Sequence, residues 1–152
     1  FDIHRLIEKK KLYLGGTRIP FHSGLKGHSD GDVILHAIID AILGAIRKKD
    51  IGSLFPDNKN KYKNIRSPNM LKSVLEILDK GNFYINNLDI NLICEQPKVS
   101  KYRKKIISSL SNLLKLNKDL INLKGKTVEK LGLIGKEKAI ACEVIVSICK
   151  YD

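Results

Sequence analysis

No stretch of this chain approaches the ~20 consecutive apolar residues that cross a bilayer, so no membrane-spanning helix and no membrane partner are expected. No G-x-x-x-x-G-K-[S/T] segment occurs, which excludes the P-loop way of cradling a nucleotide phosphate. Aromatic residues are few and scattered, four Phe and five Tyr, so the stacking platform of a single-strand RNA binder is missing. Cysteine is scarce. Cys94, Cys142 and Cys149 show no metal spacing, and their odd count and strand-like surroundings predict reduced, buried thiols in a reducing compartment. No repeat and no linker-like segment interrupts the sequence, so residues 1–152 are expected to form a single domain with one core. Residues 1–4 do not read as a targeting peptide. Position 1 is not Met, so the chain is expected to begin inside something longer, any address label being lost.

What the chain has in excess is positive charge, 28 Lys plus Arg against 16 Asp plus Glu, a net of +12. The lysines alternate with asparagine, as in Asn58-Lys59-Asn60-Lys61-Tyr62-Lys63-Asn64. That pattern reads as compositional bias on a solvated surface, and no nucleic-acid partner is expected. Positive potential also suits a phosphate-rich small substrate.

Hydrophobic periodicity sketches the elements. Residues 12–19 read as two short strands around a Gly-Gly turn, and 20–31 as a flexible loop punctuated by Pro20, Gly24, Gly27 and Gly31. Asp30 or Asp32 is placed to cap a strong helix over 33–46, whose broad apolar face predicts burial on more than one side. The loop 50–63 carries Ile51, Leu54 and Phe55, too apolar for a plain linker, and is expected to fold back over something. Helices are predicted from Pro68 to about Lys80, stopped by Gly81, and over 102–114. Strands are predicted over 85–95, 121–127 and 140–149, the last nearly all apolar and suited to burial against a partner subunit. The order suggests an α/β sandwich with helices on one face of a sheet.

Two groups of residues carry chemistry. Asp2 and His4 are two apart, so on an extended segment they point the same way. With His36 from the long helix they can fill three corners of a tetrahedron and leave the fourth open, the pattern of a catalytic zinc site. Spacing alone leaves open that His4 is merely exposed and His36 a satisfied core histidine. Asp32 or Asp40, each four residues from His36, is placed to fix the His36 ring; equally, Asp32 caps the helix and Asp40 faces solvent. His28, between glycines and a Ser-Asp-Gly turn, suits substrate contact, whereas His22 reads as surface. Farther on, Gln96-Pro97-Lys98 follows a strand end, where ligands of α/β folds often bind, and Thr127 and Glu129 offer a phosphate-binding hydroxyl and a hard oxygen for magnesium or manganese.

In order along the chain stand Asp2-Ile3-His4, Gly16-Thr17-Arg18-Ile19-Pro20, His28-Ser29-Asp30-Gly31-Asp32-Val33-Ile34-Leu35-His36-Ala37, Asp40-Ala41-Ile42-Leu43-Gly44-Ala45, Asp50-Ile51-Gly52-Ser53-Leu54-Phe55-Pro56-Asp57, Pro97-Lys98, Thr127-Val128-Glu129-Lys130-Leu131-Gly132 and Ile140-Ala141-Cys142-Glu143. With these the sequence resembles the 2-C-methyl-D-erythritol 2,4-cyclodiphosphate synthases of the non-mevalonate isoprenoid pathway. The resemblance implies a ferredoxin-like α/β (α+β) domain with a four-stranded sheet, assembled as a homotrimer with active sites at subunit interfaces. It implies one Zn2+ per subunit on Asp2, His4 and His36, and Mg2+ or Mn2+ held by Glu129. His28 and Ser29 would hold the methylerythritol phosphate side of a cytidine diphosphate-linked substrate, with Asp50, Gly52 and Asp57 at its hydroxyls. Pro97 and Lys98 would frame the cytosine of the adjacent subunit, Thr127 would bind the diphosphate, and Glu143 would sit near the three-fold axis. Catalytic roles fall on His28, Lys98 and Thr127, and the activity would be that of a CMP-forming phosphorus–oxygen lyase.

The chain departs from the family pattern at Lys126, where a small hydroxyl residue is common, at Val128, where Thr is common, and at Lys136-Glu137-Lys138, where Arg-Gly-Glu is frequent. The resemblance implies bacteria or plastids; joined to the Lys/Asn bias of an AT-rich genome and an expected missing N-terminal segment, it makes a plastid-like organelle (apicoplast or chloroplast) the expected location, with bacterial cytoplasm as the alternative. A metal-dependent phosphohydrolase, an RNA-binding module and a trimeric scaffold are the competing readings.

Overall fold

A computed structural model describes residues 1–27, 29–56, 58–62 and 64–152. Strand β1 (Asp2–Glu8) opens the chain, followed by a hairpin of β2 (Leu12–Leu14) and β3 (Thr17–Ile19). The hairpin turns on Gly15 and Gly16, at φ +61° and +78°. Positive φ at both central residues is what a tight two-residue hairpin requires and what glycine adopts at no steric cost.

The expected loop over 20–31 contains a strand, β4 (Ser23–Leu25), which pairs antiparallel with β1 through Leu6 and Leu25. Its three residues are all buried, and this contact with β1 outweighs the loop composition around it.

Helix α1 (Val33–Ala45) buries Val33, Ile34, Leu35, Ala37, Ile38, Ile39, Ile42 and Leu43, the broad apolar face the sequence predicted. Asp32 caps it. One carboxylate oxygen accepts the N–H of Leu35 (3.1 Å) and of Gly15 (2.9 Å), the other the N–H of Gly16 (2.7 Å). The cap thus also ties the glycine turn to the helix start. Burial pushes the Asp32 carboxyl up, and the N–H groups of Gly16, Leu35 and Gly15 pull it back.

The apolar loop does fold back. It forms a one-turn helix α2 (Ile51–Leu54) and a 3-10 turn at Asn60–Tyr62, with Phe55 buried edge-on to the Tyr62 ring at 5.4 Å. Helix α3 (Ser67–Lys80) carries Pro in its first turn and ends at Gly81. Strand β5 (Phe83–Ile93) leads to α4 (Val99–Leu114), which starts three residues before the expected 102. Strand β6 (Ile121–Lys126), the one-turn helix α5 (Gly132–Gly135) and β7 (Ala139–Lys150) complete the chain.

Among the described residues the main sheet has five strands, not four, in the order β4-β1-β7-β5-β6. The extra strand is the short β4. The β5–β6 pair is parallel and the others antiparallel. One face of the sheet, with Ile85, Leu88, Ile90, Leu92 and Ile140, is buried beneath α1, α3 and α4. The other leaves Ile3, Ile7 and Ile145 exposed, Ile145 at 74%. The strand register aligns Asp2 with Cys142, Cys142 with Leu92, and Leu92 with Gly125, so one row of residues crosses β1, β7, β5 and β6. No helix among the described residues is long and apolar enough to cross a membrane. No disulfide forms among the described residues; Cys94 and Cys142 are buried as expected, whereas Cys149 is only half-buried.

Candidate active site

Asp2 and His4 stand two apart on β1, and His36 faces them from the first turns of α1. Asp2 Oδ2 lies 2.8 Å from His4 Nε2 and 3.2 Å from His36 Nδ1, and the two ring nitrogens are 3.1 Å apart. These distances are close to the edges of a tetrahedron, because zinc bonds of ~2.0–2.1 Å set neighbouring ligand atoms about 3.3 Å apart. Among the described residues this is the one group of three or more His, Cys, Asp or Glu able to hold a metal ion.

The hydrogen bonds behind the triad decide what its facing atoms are. His4 Nδ1 meets the carbonyl of Lys26 at 2.6 Å, and a carbonyl only accepts, so Nδ1 carries hydrogen and Nε2 presents a lone pair. His36 Nε2 lies 2.9 Å from Ser67 Oγ, and that hydroxyl donates to the Asp30 carboxylate. Ser67 Oγ therefore accepts from His36 Nε2–H, which leaves a lone pair on Nδ1. With both rings neutral, two lone pairs and a carboxylate oxygen converge, an arrangement that a metal ion or a proton relieves. The donor set fits zinc, with nitrogen and oxygen ligands and a fourth direction left over. With no ion bound, protons on the imidazoles take the place of that cation. Burial works to lift the Asp2 carboxyl, yet hydrogen bonds from His36 and His4 hold it below the usual carboxylate range. Desolvation works to lower His4, yet Asp2 raises it.

Neither carboxylate proposed for orienting His36 does so. Asp32 is consumed by its three backbone N–H groups, and Asp40 Oδ1 accepts the N–H of Ile51 at 2.8 Å, joining α1 to α2. Ser67 takes that place. It lies 31 residues from His36, and its only signal in the sequence, preceding Pro68, is that of a helix start.

The second group assembles on the far side of the sheet row. Pro97, Lys98 and Thr127 line one pocket of about 160 Å³ together with Cys94, Glu95, Val99, Arg103, Gly125 and Lys126. Pro97 is buried and Lys98 exposed at the start of α4. Gly125 sits so close to α4 that a Cβ would lie 2.7 Å from Val99 Cβ. Thr127 Oγ1 donates to Glu129 Oε1 at 3.1 Å, and Glu129 itself is exposed at φ +53°. Glu95, which no motif of the sequence singles out, holds this turn: its Oε1 accepts the N–H of Val128 and of Lys130, both at 3.1 Å. Lys126 and Arg103 join Lys98 as cations around the pocket.

The remaining expected residues are dispersed. The Asp50 side chain caps α2 by accepting the Ser53 N–H at 2.7 Å, which lowers its carboxyl, and Gly52 lies exposed within that helix. The Ser29 carbonyl accepts from Lys10 Nζ at 3.1 Å. His28 and Asp57 lie outside the described residues. Glu143 is exposed on β7, opposite Asn91.

Comparison with known proteins identifies the family. The model of the YgbB family matches residues 1–149. A bifunctional enzyme IspD/IspF from Pelagibacter ubique is 54% identical over 152 residues, 100% of this chain and 41% of that protein, so the chain spans about two-fifths of the bifunctional relative. A 2-C-methyl-D-erythritol 2,4-cyclodiphosphate synthase from Caldicellulosiruptor bescii is 46% identical over 150 residues, covering 99% of this chain and 96% of the relative. The structure of IspF from Plasmodium falciparum, described as a CDP complex, superposes with a TM-score of 0.87 at 42% identity, covering 99% of this chain and 93% of that one. The chain belongs to the YgbB family, that of the 2-C-methyl-D-erythritol 2,4-cyclodiphosphate synthases.

Proposed function

We propose that this chain, as one domain over 1–152, converts 4-diphosphocytidyl-2-C-methyl-D-erythritol 2-phosphate to 2-C-methyl-D-erythritol 2,4-cyclodiphosphate and CMP. A 2-phosphate oxygen attacks the β-phosphorus. The bond from that phosphorus to the bridging oxygen breaks, and CMP leaves with the oxygen, so the reaction is that of a phosphorus–oxygen lyase. The observation that carries this reading is the convergence of Asp2, His4 and His36 donor atoms in a chain of this family.

The nucleophile is a phosphate anion at neutral pH, so no strong protein base is needed. The task is to bring two polyanions together and to hold a flexible chain curled, an entropy saving that positioned side chains provide. Pro97 and the Gly125–Val99 wall flank the cytosine. Lys98 and Lys126 set positive charge beside the diphosphate, and Thr127 exchanges its bond to Glu129 for one to a phosphate oxygen. His28 and Ser29 hold the methylerythritol phosphate side, while Asp50, Gly52 and Asp57 meet hydroxyls. When bound, zinc on Asp2, His4 and His36 supplies a Lewis acid to phosphate oxygen, and magnesium or manganese on Glu129 neutralises diphosphate charge.

Asp2 and Gly125 stand three strand spacings apart in one sheet row, about 14 Å at ~4.8 Å per strand. The assembly we propose, as the family resemblance implies, is a ferredoxin-like homotrimer in which the metal site of one subunit meets the pocket of its neighbour. The exposed Ile3, Ile7 and Ile145 supply apolar surface for such contacts. The bacterial relatives favour a bacterial cytoplasm over a plastid-like organelle.

The test is phosphorus NMR of the substrate with protein and magnesium, with and without a zinc chelator. Chelator-sensitive, equimolar CMP and cyclic diphosphate are expected. Release of inorganic phosphate instead would make the chain a hydrolase. His36→Ala is expected to slow CMP release by at least about 100-fold with an unchanged circular dichroism spectrum; full activity would remove the zinc assignment.

A further inference from the structure

Resting on the metal-binding reading above, we infer that Ser67 and Asp30 are positioning residues of the metal site, forming a relay that fixes which nitrogen of His36 faces the metal. Ser67 is fully buried at the first position of α3, and Asp30 is 8% exposed in the segment that leads into α1. The relay runs from His36 Nε2 to Ser67 Oγ at 2.9 Å and on to Asp30 Oδ1.

Its polarity has one solution. Asp30 already accepts the N–H of Ser67 at 3.2 Å on Oδ2 and the N–H of Asp32 at 3.4 Å on Oδ1, and Arg66 Nε approaches Oδ2 at 3.8 Å. Each of these groups is a donor, so Asp30 acts as a carboxylate acceptor and takes the hydroxyl hydrogen. The role left to Ser67 Oγ toward His36 is then to accept. A neutral imidazole bonded in this way carries hydrogen on Nε2 and turns its lone pair on Nδ1 toward Asp2 and His4. A partner behind a ligating histidine orients the ring and raises its basicity, and its loss costs about 10–100-fold in metal affinity or activity.

A merely structural role for Ser67 is separable from this one. The start of α3 is tied to Asp30 by the backbone N–H of Ser67, a bond that any residue with an N–H keeps. Only the hydroxyl reaches His36. Ser67→Ala therefore removes the relay and leaves the helix start in place, whereas Ser67→Thr keeps the hydroxyl.

The experiment titrates the metal-free full chain and both variants with Zn2+ alone, against a chromophoric chelator, and records long-range proton–nitrogen correlations of the imidazoles at alkaline pH. The parent is expected to show hydrogen on Nε2 of His36. Ser67→Ala is expected to mix the two tautomers and to bind Zn2+ about 10–100-fold more weakly, with Ser67→Thr within about threefold of the parent. The inference is overturned if Ser67→Ala stays within about twofold, or if His36 in the parent carries hydrogen on Nδ1. The parent spectrum needs no variant, so it decides even if Ser67→Ala fails to fold. CMP release is assayed separately. A parent that releases none refutes the proposed reaction while leaving the difference in Zn2+ affinity readable.

Discussion

Replacing Asp32 with Ala is the most demanding check on how this chain builds its site. The carboxylate accepts three backbone N–H groups, from Leu35, Gly15 and Gly16, at 3.1, 2.9 and 2.7 Å. Losing a helix cap costs about 1 kcal/mol. A buried N–H left without an acceptor costs about 1–3 kcal/mol, which applies in full to Gly15 and at the low end to the half-buried Gly16. Together the loss is about 3–5 kcal/mol, a large part of the ~5–15 kcal/mol that holds a domain folded. Asp32→Asn keeps one acceptor but turns an amide N–H toward a donor, and is expected to cost about 1–2 kcal/mol. Urea unfolding of the metal-free protein at fixed concentration measures both, the concentration being fixed because association adds to apparent stability. A loss below about 1 kcal/mol for the alanine variant would refute the reasoning. The folded asparagine variant also separates two roles. As a cap, Asp32 is dispensable for metal, and Zn2+ affinity stays within about threefold; a fall of about 10–100-fold would restore Asp32 as the group that orients His36.

Three further outcomes are expected. Lys126→Met weakens CDP about tenfold, the worth of about one charge-assisted contact, and leaves cytidine unchanged in calorimetric titration; equal loss for both ligands would deny the lysine a phosphate role. Burial, reinforced by the charge of Glu95, pushes the Cys94 thiol up to about 11, and burial pushes Cys142 up as well, so neither is alkylated by iodoacetamide at about pH 8 until the chain unfolds; rapid labelling in the folded state, read by mass spectrometry, would contradict this. The bond from Lys124 Nζ to Asp89 Oδ2, 2.7 Å, holds the Asp89 carboxyl below the carboxylate range. Its small, salt-screened stabilisation is thus present above the unfolded value of ~3.9 and is lost as pH falls through the lower folded value. Lys124→Met raises the Asp89 midpoint toward the ordinary range in a carbon NMR titration, the Asn122 bond being retained, and an unchanged midpoint would show that the lysine is not the cause.

Local patterning made most elements legible. The Gly-Gly hairpin, the apolar breadth of α1 and the Gly81 stop each depend on residues within one turn or one strand of each other. Strand β4 escaped because its three residues sit among glycine and proline and become a strand only by pairing with β1, as Ser23 does with Glu8 and Leu25 with Leu6. The metal triad was legible because two of its members share a strand and the residue types are chemically narrow. What orients it was not. Asp32 and Asp40 stood at the right helical spacing from His36, yet backbone N–H groups of the glycine turn and of α2 claimed them. Ser67 won through tertiary packing that no spacing rule records. The pocket was half legible: Pro97, Lys98 and Thr127 carry a signal, but Glu95, Arg103 and Val99 gain their roles only from the approach of α4 to β6.

The row from Asp2 through Cys142 and Leu92 to Gly125 makes strand β7 a common gauge for the triad and the pocket. Insert or delete one residue in β7 between Ala139 and Cys142, and β1 must either slip, carrying Asp2 and His4 to the opposite side of the sheet, or stay and let β5 and β6 slide with the pocket. Only a β-bulge, like the register shift at Ile85 to Asn87 in the β5–β7 pair, absorbs an extra residue without that choice. Side chains around the sheet can change one at a time, but the length of this short piece of β7 sets the Asp2–His4 end and the Pro97–Thr127 pocket together.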